Sequence, residues 1–263
     1  MTRISRAFED RKALVTYITA GDPDLETTAF LMRLLDECGV DILEVGIPFS
    51  DPLADGPVIQ RAGQRALQGG TTLKRILDML KSLKGELKAP LVLMGYMNNI
   101  IAYGAEAFAR DAAAAGVEGV IVPDLPFHQC DEVAGALRSQ GVEFILMVTP
   151  NSTDERIKAI ADRASGFLYC VSLLGVTGNE EKGSAPLENY IGRLRGFTDL
   201  PLAVGFGVST PERARAAARA ADGVIVGSAL INRLEPCGAD RECLRASATE
   251  FIGAFRAAVD SAG

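Results

Sequence analysis

One short pattern recurs along the chain and restricts its fold more than any other feature. A glycine is followed within two residues by an acidic residue and then by a run of apolar residues, at 39–46, 116–122 and 141–148. Such a glycine commonly ends a helix, and an unbroken apolar run is typical of a strand that is covered on both faces. The pattern therefore predicts helices that lead directly into the strands of a parallel sheet.

Eight apolar runs can be counted, and the segments between them have helical character. Alternating strands and helices in a chain of 263 residues are typical of one (β/α)8 barrel; a doubly wound open sheet is the alternative, because a strand count does not show closure. We predict a single (β/α)8 TIM barrel domain over residues 1–263, with an extra N-terminal helix and long loops after strands 2 and 6. The predicted strands lie near residues 13–19, 42–46, 91–95, 119–122, 144–148, 167–171, 202–205 and 223–226.

The two long loops cover residues 47–60 and 172–185. In a barrel both emerge at the carboxyl ends of the strands, where active sites of this fold lie. Helix starts are predicted at Ser152 and Ser209, because each is followed three residues later by a glutamate at capping-box spacing.

The single histidine, His128, excludes a metal centre built from several histidines and leaves little room for Ser-His-Asp chemistry. We interpret it as a surface or helix-start residue. The net charge of −7 argues against a broad basic surface for nucleic acid or membrane. Five scattered cysteines without a C-x-x-C motif indicate a reducing compartment and no disulfide framework. No apolar run is long enough to span a bilayer, so a cytoplasmic protein is expected.

An acidic residue interrupts the second apolar run. Strand alternation places Glu44 on the same side as Ile42, facing either the barrel interior or the helices. Burial raises the pKa of a carboxyl group and suits it to acid–base catalysis, although a buried glutamate paired with an arginine is an equally simple interpretation. The loop that follows is stiffened by three prolines and presents Asp51 and Asp55, which could serve the site or bond locally to the backbone.

Glycines follow the last two predicted strands, at 205–207 and at Gly227. They let backbone N–H groups approach an anion, and the loops after strands 7 and 8 are the usual phosphate site of such barrels. Either signal alone fits a tight turn, whereas the two together predict a phosphorylated substrate.

Residues 43–57, LEVGIPFSDPLADGP, closely resemble a motif of the tryptophan synthase alpha chain family. Six shorter motifs resemble others of that family in the same order, so that the resemblance covers essentially the whole chain. They are YITAGDP (17–23), MGYMN (94–98), PDLP (123–126), GVTG (175–178), GFG (205–207) and GSA (227–229).

The resemblance implies a (β/α)8 barrel that cleaves indole-3-glycerol phosphate to indole and glyceraldehyde 3-phosphate without a cofactor of its own. It assigns Glu44 to proton transfer and Asp55 to the carboxylate that faces the indole N–H. The other implied positions are Tyr17, Tyr96, Tyr169 and Thr177 around the substrate and Gly178, Gly207, Gly227 and Ser228 around its phosphate.

This assignment agrees with what the reaction requires. A proton must reach C3 of the indole, a base must take the proton of a glycerol hydroxyl, and a carboxylate stabilises the charge that builds on the ring nitrogen. Two carboxyl groups in different environments can divide these tasks without a histidine.

The resemblance also implies a partner. The family pairs this chain with a pyridoxal-phosphate-dependent beta chain in an α2β2 heterotetramer, with Pro48, Asp51, Pro52 and Asn98 at the contact. Two alternatives remain open from the sequence: a free-standing lyase of the same family that releases indole, and a non-catalytic barrel that only binds phosphate ligands or activates a partner.

Overall fold

The computed structural model describes residues 2–125, 130–172 and 185–262. Eight parallel strands form a closed barrel in which each strand pairs with the next and the eighth pairs with the first. The predicted barrel is therefore confirmed, and the open-sheet alternative is wrong. The strands are β1 (Ala13–Thr19), β2 (Ile42–Gly46), β3 (Leu91–Met94), β4 (Gly119–Ile121), β5 (Glu143–Val148), β6 (Leu168–Val171), β7 (Leu202–Gly205) and β8 (Gly223–Val226).

Helices surround the barrel, and the short α1 forms the predicted N-terminal extension. They are α1 (Arg3–Arg6), α2 (Leu25–Glu37), α3 (Pro57–Gln68), α4 (Leu73–Ser82), α5 (Met97–Tyr103), α6 (Ala105–Ala114), α7 (Cys130–Ser139), α8 (Asp154–Ala161), α9 (Ala185–Arg195), α10 (Pro211–Ala220), α11 (Ser228–Leu234) and α12 (Arg241–Asp260). The loop after β2 ends at Gly56, earlier than predicted, because Pro57 already begins α3, a position where its missing N–H costs nothing. Most of the predicted loop 172–185 lies outside the described residues.

The core consists of an outer layer between strands and helices and an inner layer that fills the barrel. The inner layer includes Val15, Ile42 and Val92. At the amino-terminal end, Ile4 of α1 is fully buried in the same layer, and the ring of Phe8 lies 5.5 Å from that of Phe167. The extra helix therefore closes the bottom of the barrel and leaves the opposite end for a site.

At residues 39–46 the recurring pattern of glycine, acid and apolar run has a structural explanation. Gly39 ends α2 at a φ of +85°, a conformation that other residues rarely adopt. Asp41 then accepts a 2.7 Å hydrogen bond from the backbone N–H of Leu14 on β1. Asp222 does the same, at 2.8 Å, for the N–H of Leu202 on β7. These acids thus satisfy backbone donors at the amino-terminal edge of the barrel, where the ladder begins.

The expectation that the chain has no disulfide is wrong at one pair of cysteines. Cys237, in the 3₁₀ turn after α11, is bonded to Cys243 in the first turn of α12, with 5.4 Å between the Cα atoms. The six-residue spacing matches no familiar motif, and only the tight turn between the helices brings the two residues together. Cys38 and Cys170 are free thiols in the described part of the chain.

Two predicted helix starts are displaced by one residue. The N-caps are Thr153 and Thr210, and each hydroxyl accepts the backbone N–H three residues further on. Ser152 instead lies 3.1 Å from the hydroxyl of Thr149. Across the described ranges, no helix combines the length and the apolar character that a bilayer crossing needs.

Candidate active site

Glu44 lies inside the barrel near the carboxyl end of β2. Its neighbours in register are Tyr17 on β1 and Val92 on β3, which both belong to the inner layer. The side chain of Glu44 therefore faces the barrel interior, which strand alternation alone does not decide. The residue is 1 % exposed, and neither carboxyl oxygen has a hydrogen-bond partner among the described residues. Burial, with a further contribution from the charge of Asp55, raises the pKa of Glu44 to about 8.

The loop after β2 is held in place by contacts from two other elements. The hydroxyl of Tyr96, just beyond β3, accepts the backbone N–H of Ala54 at 3.0 Å, and the Tyr96 ring stacks on that of Phe49 at 5.2 Å. From α3, the side-chain amide of Gln60 donates to the backbone carbonyl of Asp55 at 2.8 Å. The hydrogen bonds of Tyr96 and Gln60 therefore hold the backbone of the loop at Ala54 and Asp55.

Asp55 is partly buried. Burial raises the pKa of its carboxyl group to about 6, and a hydrogen bond from Tyr96 opposes the rise. Near neutral pH, Glu44 is therefore mostly protonated while Asp55 is mostly ionised. One group can donate a proton at the same time as the other stabilises positive charge.

Two buried tyrosines share the inner layer with Glu44. Tyr17 and Tyr169 project toward the strand ends, where glycines make room for their hydroxyls. A Cβ atom on Gly46 would lie 2.0 Å from the Tyr17 hydroxyl, and one on Gly205 would lie 2.3 Å from the Tyr169 hydroxyl. Burial raises the pKa of both phenols well above the ordinary value, so they remain protonated hydrogen-bond donors.

The predicted phosphate positions follow β7 and β8. Gly207 has a φ of +75°, Gly227 precedes α11, and Ser228, the first residue of that helix, is exposed. These three residues lie at the carboxyl ends of adjacent strands. Thr177 and Gly178, the two site residues predicted in the loop after β6, lie outside the described residues.

Phe206 is a candidate site residue that the sequence reasoning missed. It adopts a φ of +66°, and its ring meets that of Tyr169 edge-on with centroids 5.9 Å apart. The hydroxyl of Ser172 donates to its backbone carbonyl. The sequence signal that could have identified Phe206 is its position between Gly205 and Gly207 at the end of a predicted strand. His128 lies outside the described residues, and no cluster suited to a metal ion is found within the described ranges.

A closed parallel barrel with two carboxyl groups of different pKa at its carboxyl end defines a (β/α)8-barrel enzyme. The family model described as "Tryptophan synthase alpha chain" matches residues 5–260. The chain belongs to the tryptophan synthase alpha chain family.

Individual relatives agree over nearly the full length. The chain is 48 % identical to the tryptophan synthase alpha chain of Petrotoga mobilis, over 92 % of this chain and 93 % of that protein. It is 50 % identical to the one of Citrifermentans bemidjiense, over 89 % and 90 %. The alpha chain structure from Legionella pneumophila subsp. pneumophila superposes with a TM-score of 0.90 at 39 % identity, over 100 % of this chain and 99 % of that one.

Family membership confirms the function predicted from the sequence. The chain is a carbon–carbon lyase of tryptophan biosynthesis that cleaves indole-3-glycerol phosphate, and a tryptophan synthase alpha chain has a beta chain as its partner in general.

Proposed function

We propose that Glu44 and Asp55 perform the cleavage of indole-3-glycerol phosphate. The observation that carries this assignment is a carboxyl group, Glu44, that is 1 % exposed, has no hydrogen-bond partner among the described residues and has its pKa raised further by the charge of Asp55. Leaving a buried polar group unpaired costs stability, so such groups concentrate where chemistry needs them.

In the proposed reaction, protonated Glu44 transfers its proton to C3 of the indole. The ring nitrogen becomes positively charged, and the ionised carboxylate of Asp55 stabilises it through the N–H group. The glycerol hydroxyl next to the ring loses its proton to Glu44, and the carbon–carbon bond breaks. Its electrons return to the ring, so indole and an aldehyde leave and Glu44 regains its proton.

The remaining predicted residues would bind the substrate. We propose that Tyr17, Tyr96 and Tyr169 line the indole pocket, which fits their burial at the carboxyl ends of the strands. Gly207, Gly227 and Ser228 would hold the phosphate through backbone N–H groups and the serine hydroxyl. Thr177 and Gly178 are assigned to site closure and phosphate binding by resemblance alone.

We further propose an α2β2 heterotetramer in the cytoplasm, with pyridoxal phosphate in the beta chain and no cofactor in this one. The loop 47–56 and Asn98 would lie at the contact. Two large apolar side chains support this surface: Leu53 in the loop is 93 % exposed and Ile101 on α5 is 60 % exposed. Apolar groups presented to solvent in this way are typical of a surface that a partner covers.

An indole-formation assay tests the catalytic assignment. Glu44→Gln keeps the shape of the side chain but removes its titration, and should lower kcat by roughly 10³-fold or more, because proton transfer and charge stabilisation are both lost. Asp55→Asn should lower kcat by about 10²-fold while glycerol 3-phosphate still binds normally. Glu143→Gln, at the opposite end of the barrel, is the matched control.

The assay is run with and without the beta chain. Near-normal turnover of Glu44→Gln would refute the assignment, and a selective loss of phosphate affinity in Asp55→Asn would contradict the role of that residue. Indole release at full rate by the isolated chain would favour a free-standing lyase, and no turnover by the wild-type chain under either condition would favour a non-catalytic barrel.

A further inference from the structure

One arginine joins three segments outside the mouth of the barrel. Arg65 on α3 holds the carboxylate of Asp22 in a bidentate pair, with its Nε and Nη2 atoms each 2.7 Å from one oxygen. Its third nitrogen, Nη1, lies 2.5 Å from the carboxylate of Glu235. The Asp22 side chain is 13 % exposed and the other two about a third, which makes this network better shielded than most ion pairs of the surface.

Each of the three segments leads to a proposed site residue. Asp22 lies in the loop after β1, the strand that carries Tyr17. Helix α3, with Arg65, begins two residues after Asp55. Glu235 directly follows α11, whose first residue is Ser228. A side chain of the helix that follows Asp55 is thus bonded to the two segments that follow the strand with Tyr17 and the helix with Ser228.

The position of Glu235 makes the arginine necessary. A carboxylate at the C-terminal end of a helix faces the unsatisfied carbonyl oxygens, which is unfavourable unless a cation compensates. Arg65 supplies that charge at 2.5 Å, and Arg61 approaches the same carboxylate at 3.5 Å. The ion pair with α3 therefore contributes to the position of this end of α11, together with the burial of Leu234.

Helices α3 and α11 also touch at a second place. Ala62 of α3 and Ile231 of α11 are both buried in the inner apolar layer. Burial at the middle of α11, where the two helices pack together, and an ion pair just beyond its end both restrict its distance from α3 and its tilt. Loss of the ion pair would leave α11 held by its packing against β1, α3 and α12, without a charged contact that fixes its end relative to α3.

The loop after β1 is docked on the same helix by a close contact. Gly21 has a φ of +85°, and a Cβ atom there would lie 2.0 Å from the hydroxyl of Thr71, shortly after α3 ends. Asp22 follows immediately. The bidentate pair with Arg65 therefore belongs to an interface that is already closely packed.

We propose that Arg65 is a positioning residue for the reaction: through Glu235 it keeps the phosphate-binding end of α11 at a fixed distance from Asp55. The inference rests on the proposed roles of Asp55 and Ser228. Because the substrate must reach from one to the other, displacement of α11 would weaken binding of the phosphate end more than it would slow proton transfer. The expected signature is a rise in KM with little change in kcat.

The test uses the full-length chain with its beta chain. Arg65→Gln should raise the KM for indole-3-glycerol phosphate and the Kd for glycerol 3-phosphate by about five-fold each, with kcat changed less than about two-fold, as expected for loss of a coupled charge pair. Glu235→Gln should give a smaller rise, and the double variant should be no worse than Arg65→Gln alone. Arg65→Lys should be intermediate, because lysine cannot make the bidentate contact.

Arg33→Gln is the matched control, since Arg33 forms a 2.7 Å pair with Glu86 between α2 and the segment before β3. Unchanged KM and Kd in Arg65→Gln would overturn the proposal, as would an equal rise in the control or fully additive effects in the double variant. All measurements are made well below the unfolding temperature of each variant, so that reduced stability alone does not alter them. Failure of the underlying phosphate site is recognised separately, because Ser228→Ala would then bind glycerol 3-phosphate as the wild type does.

Discussion

Two carboxyl groups, one just before β2 and one within it, are in opposite circumstances. Asp41, just before the strand, lies 2.6 Å from Arg11 and 2.5 Å from Arg256 and accepts the backbone N–H of Leu14. Glu44, three residues further on, is more deeply buried and has no hydrogen-bond partner among the described residues. The charge of Asp41 is thus balanced by two arginines. The carboxyl group of Glu44, in contrast, is buried without a hydrogen-bond partner among the described residues.

The same division extends around the barrel. At the amino-terminal end, Asp222 pairs with Arg195 and also accepts a backbone N–H. Glu118 pairs with Arg3 at 2.6 Å; burial raises the pKa of Glu118, and the charge of Arg3 opposes that rise. At the carboxyl end, burial raises the pKa values of Glu44 and Asp55. Charge therefore stabilises the closed sheet at one end, and at the other end Glu44 and Asp55 have the raised pKa values that the proposed reaction needs.

Exchanging each acid for its amide tests this division most directly. Asp41→Asn removes the charge that two arginines share, so the free energy of unfolding should fall by about 2 kcal/mol, because the nearly buried Arg256 loses one of its two carboxylate partners and keeps only the more exposed Asp260. Indole formation by the folded variant should remain normal. Glu44→Gln should show the reverse, with stability unchanged or increased and activity lost. Denaturant unfolding at pH 7 measures the first quantity and indole formation the second.

The two arginines give an internal control. Arg256 has 11 % of its side chain exposed and Arg11 has 45 %, so Arg256→Gln should cost clearly more stability than Arg11→Gln. If Arg256→Gln and Arg11→Gln lowered the free energy of unfolding equally, or if Asp41→Asn were as stable as the wild type, the charge pairs at the amino-terminal end would not stabilise the barrel as we infer.

The pH dependence of stability gives a second contrast. The pKa of Glu44 is about 8 in the folded chain and near 4.5 when unfolded, so between these values the native state binds more protons than the unfolded state. Stability should therefore be complete at about pH 4.5 and decline as the pH rises toward 8, by at most about 1.4 kcal/mol per pH unit from this group. Glu44→Gln should remove most of this slope and leave the smaller part from Asp55. An equally steep decline in the variant would show that Glu44 is not the group responsible.

Much of this architecture could be read from the sequence. The glycines that end helices and the unbroken apolar runs located all eight strands to within two residues. Strand alternation showed that the side chains of Ile42 and Glu44 lie on the same face of the sheet. It does not show whether that face is the barrel interior or the outer face that the helices cover. The interior was identified by the register with Tyr17 and Val92, which depends on closure of the sheet.

Contacts between distant segments were beyond the sequence for the same reason. No local pattern shows that Tyr96 bonds to Ala54, 42 positions away, or that Arg65 meets Glu235 across 170. The bond between Cys237 and Cys243 is close in sequence, yet it depends on a turn that composition does not specify. Residue types thus indicated the candidate chemistry, while the bonds that hold it in place required the fold.

Substitution of Tyr96 has the smallest expected effect of these predictions, and it tests the role of Asp55 specifically. The proposed reaction needs Glu44 protonated and Asp55 ionised, so kcat/KM should fall below about pH 6 and above about pH 8. Tyr96→Phe removes the hydrogen bond that lowers the pKa of Asp55, and it also removes the acceptor for the Ala54 N–H. The acid limb should move to higher pH, and activity near neutral pH should fall by about five-fold or more, because two hydrogen bonds to the loop are lost.

The comparison with Tyr103→Phe makes that shift interpretable. Tyr103 donates to Asp111 at 2.8 Å on the outer helices, so its loss removes a tyrosine–aspartate bond without touching Asp55. The phosphate of the substrate also titrates near pH 6, but its pKa is the same for every variant. A limb that moves in Tyr96→Phe and stays in place in Tyr103→Phe therefore belongs to Asp55. A limb that stays in place in both would show that the ionisation of Asp55 does not limit the reaction, and the carboxyl end of the barrel would then depend on Glu44 alone.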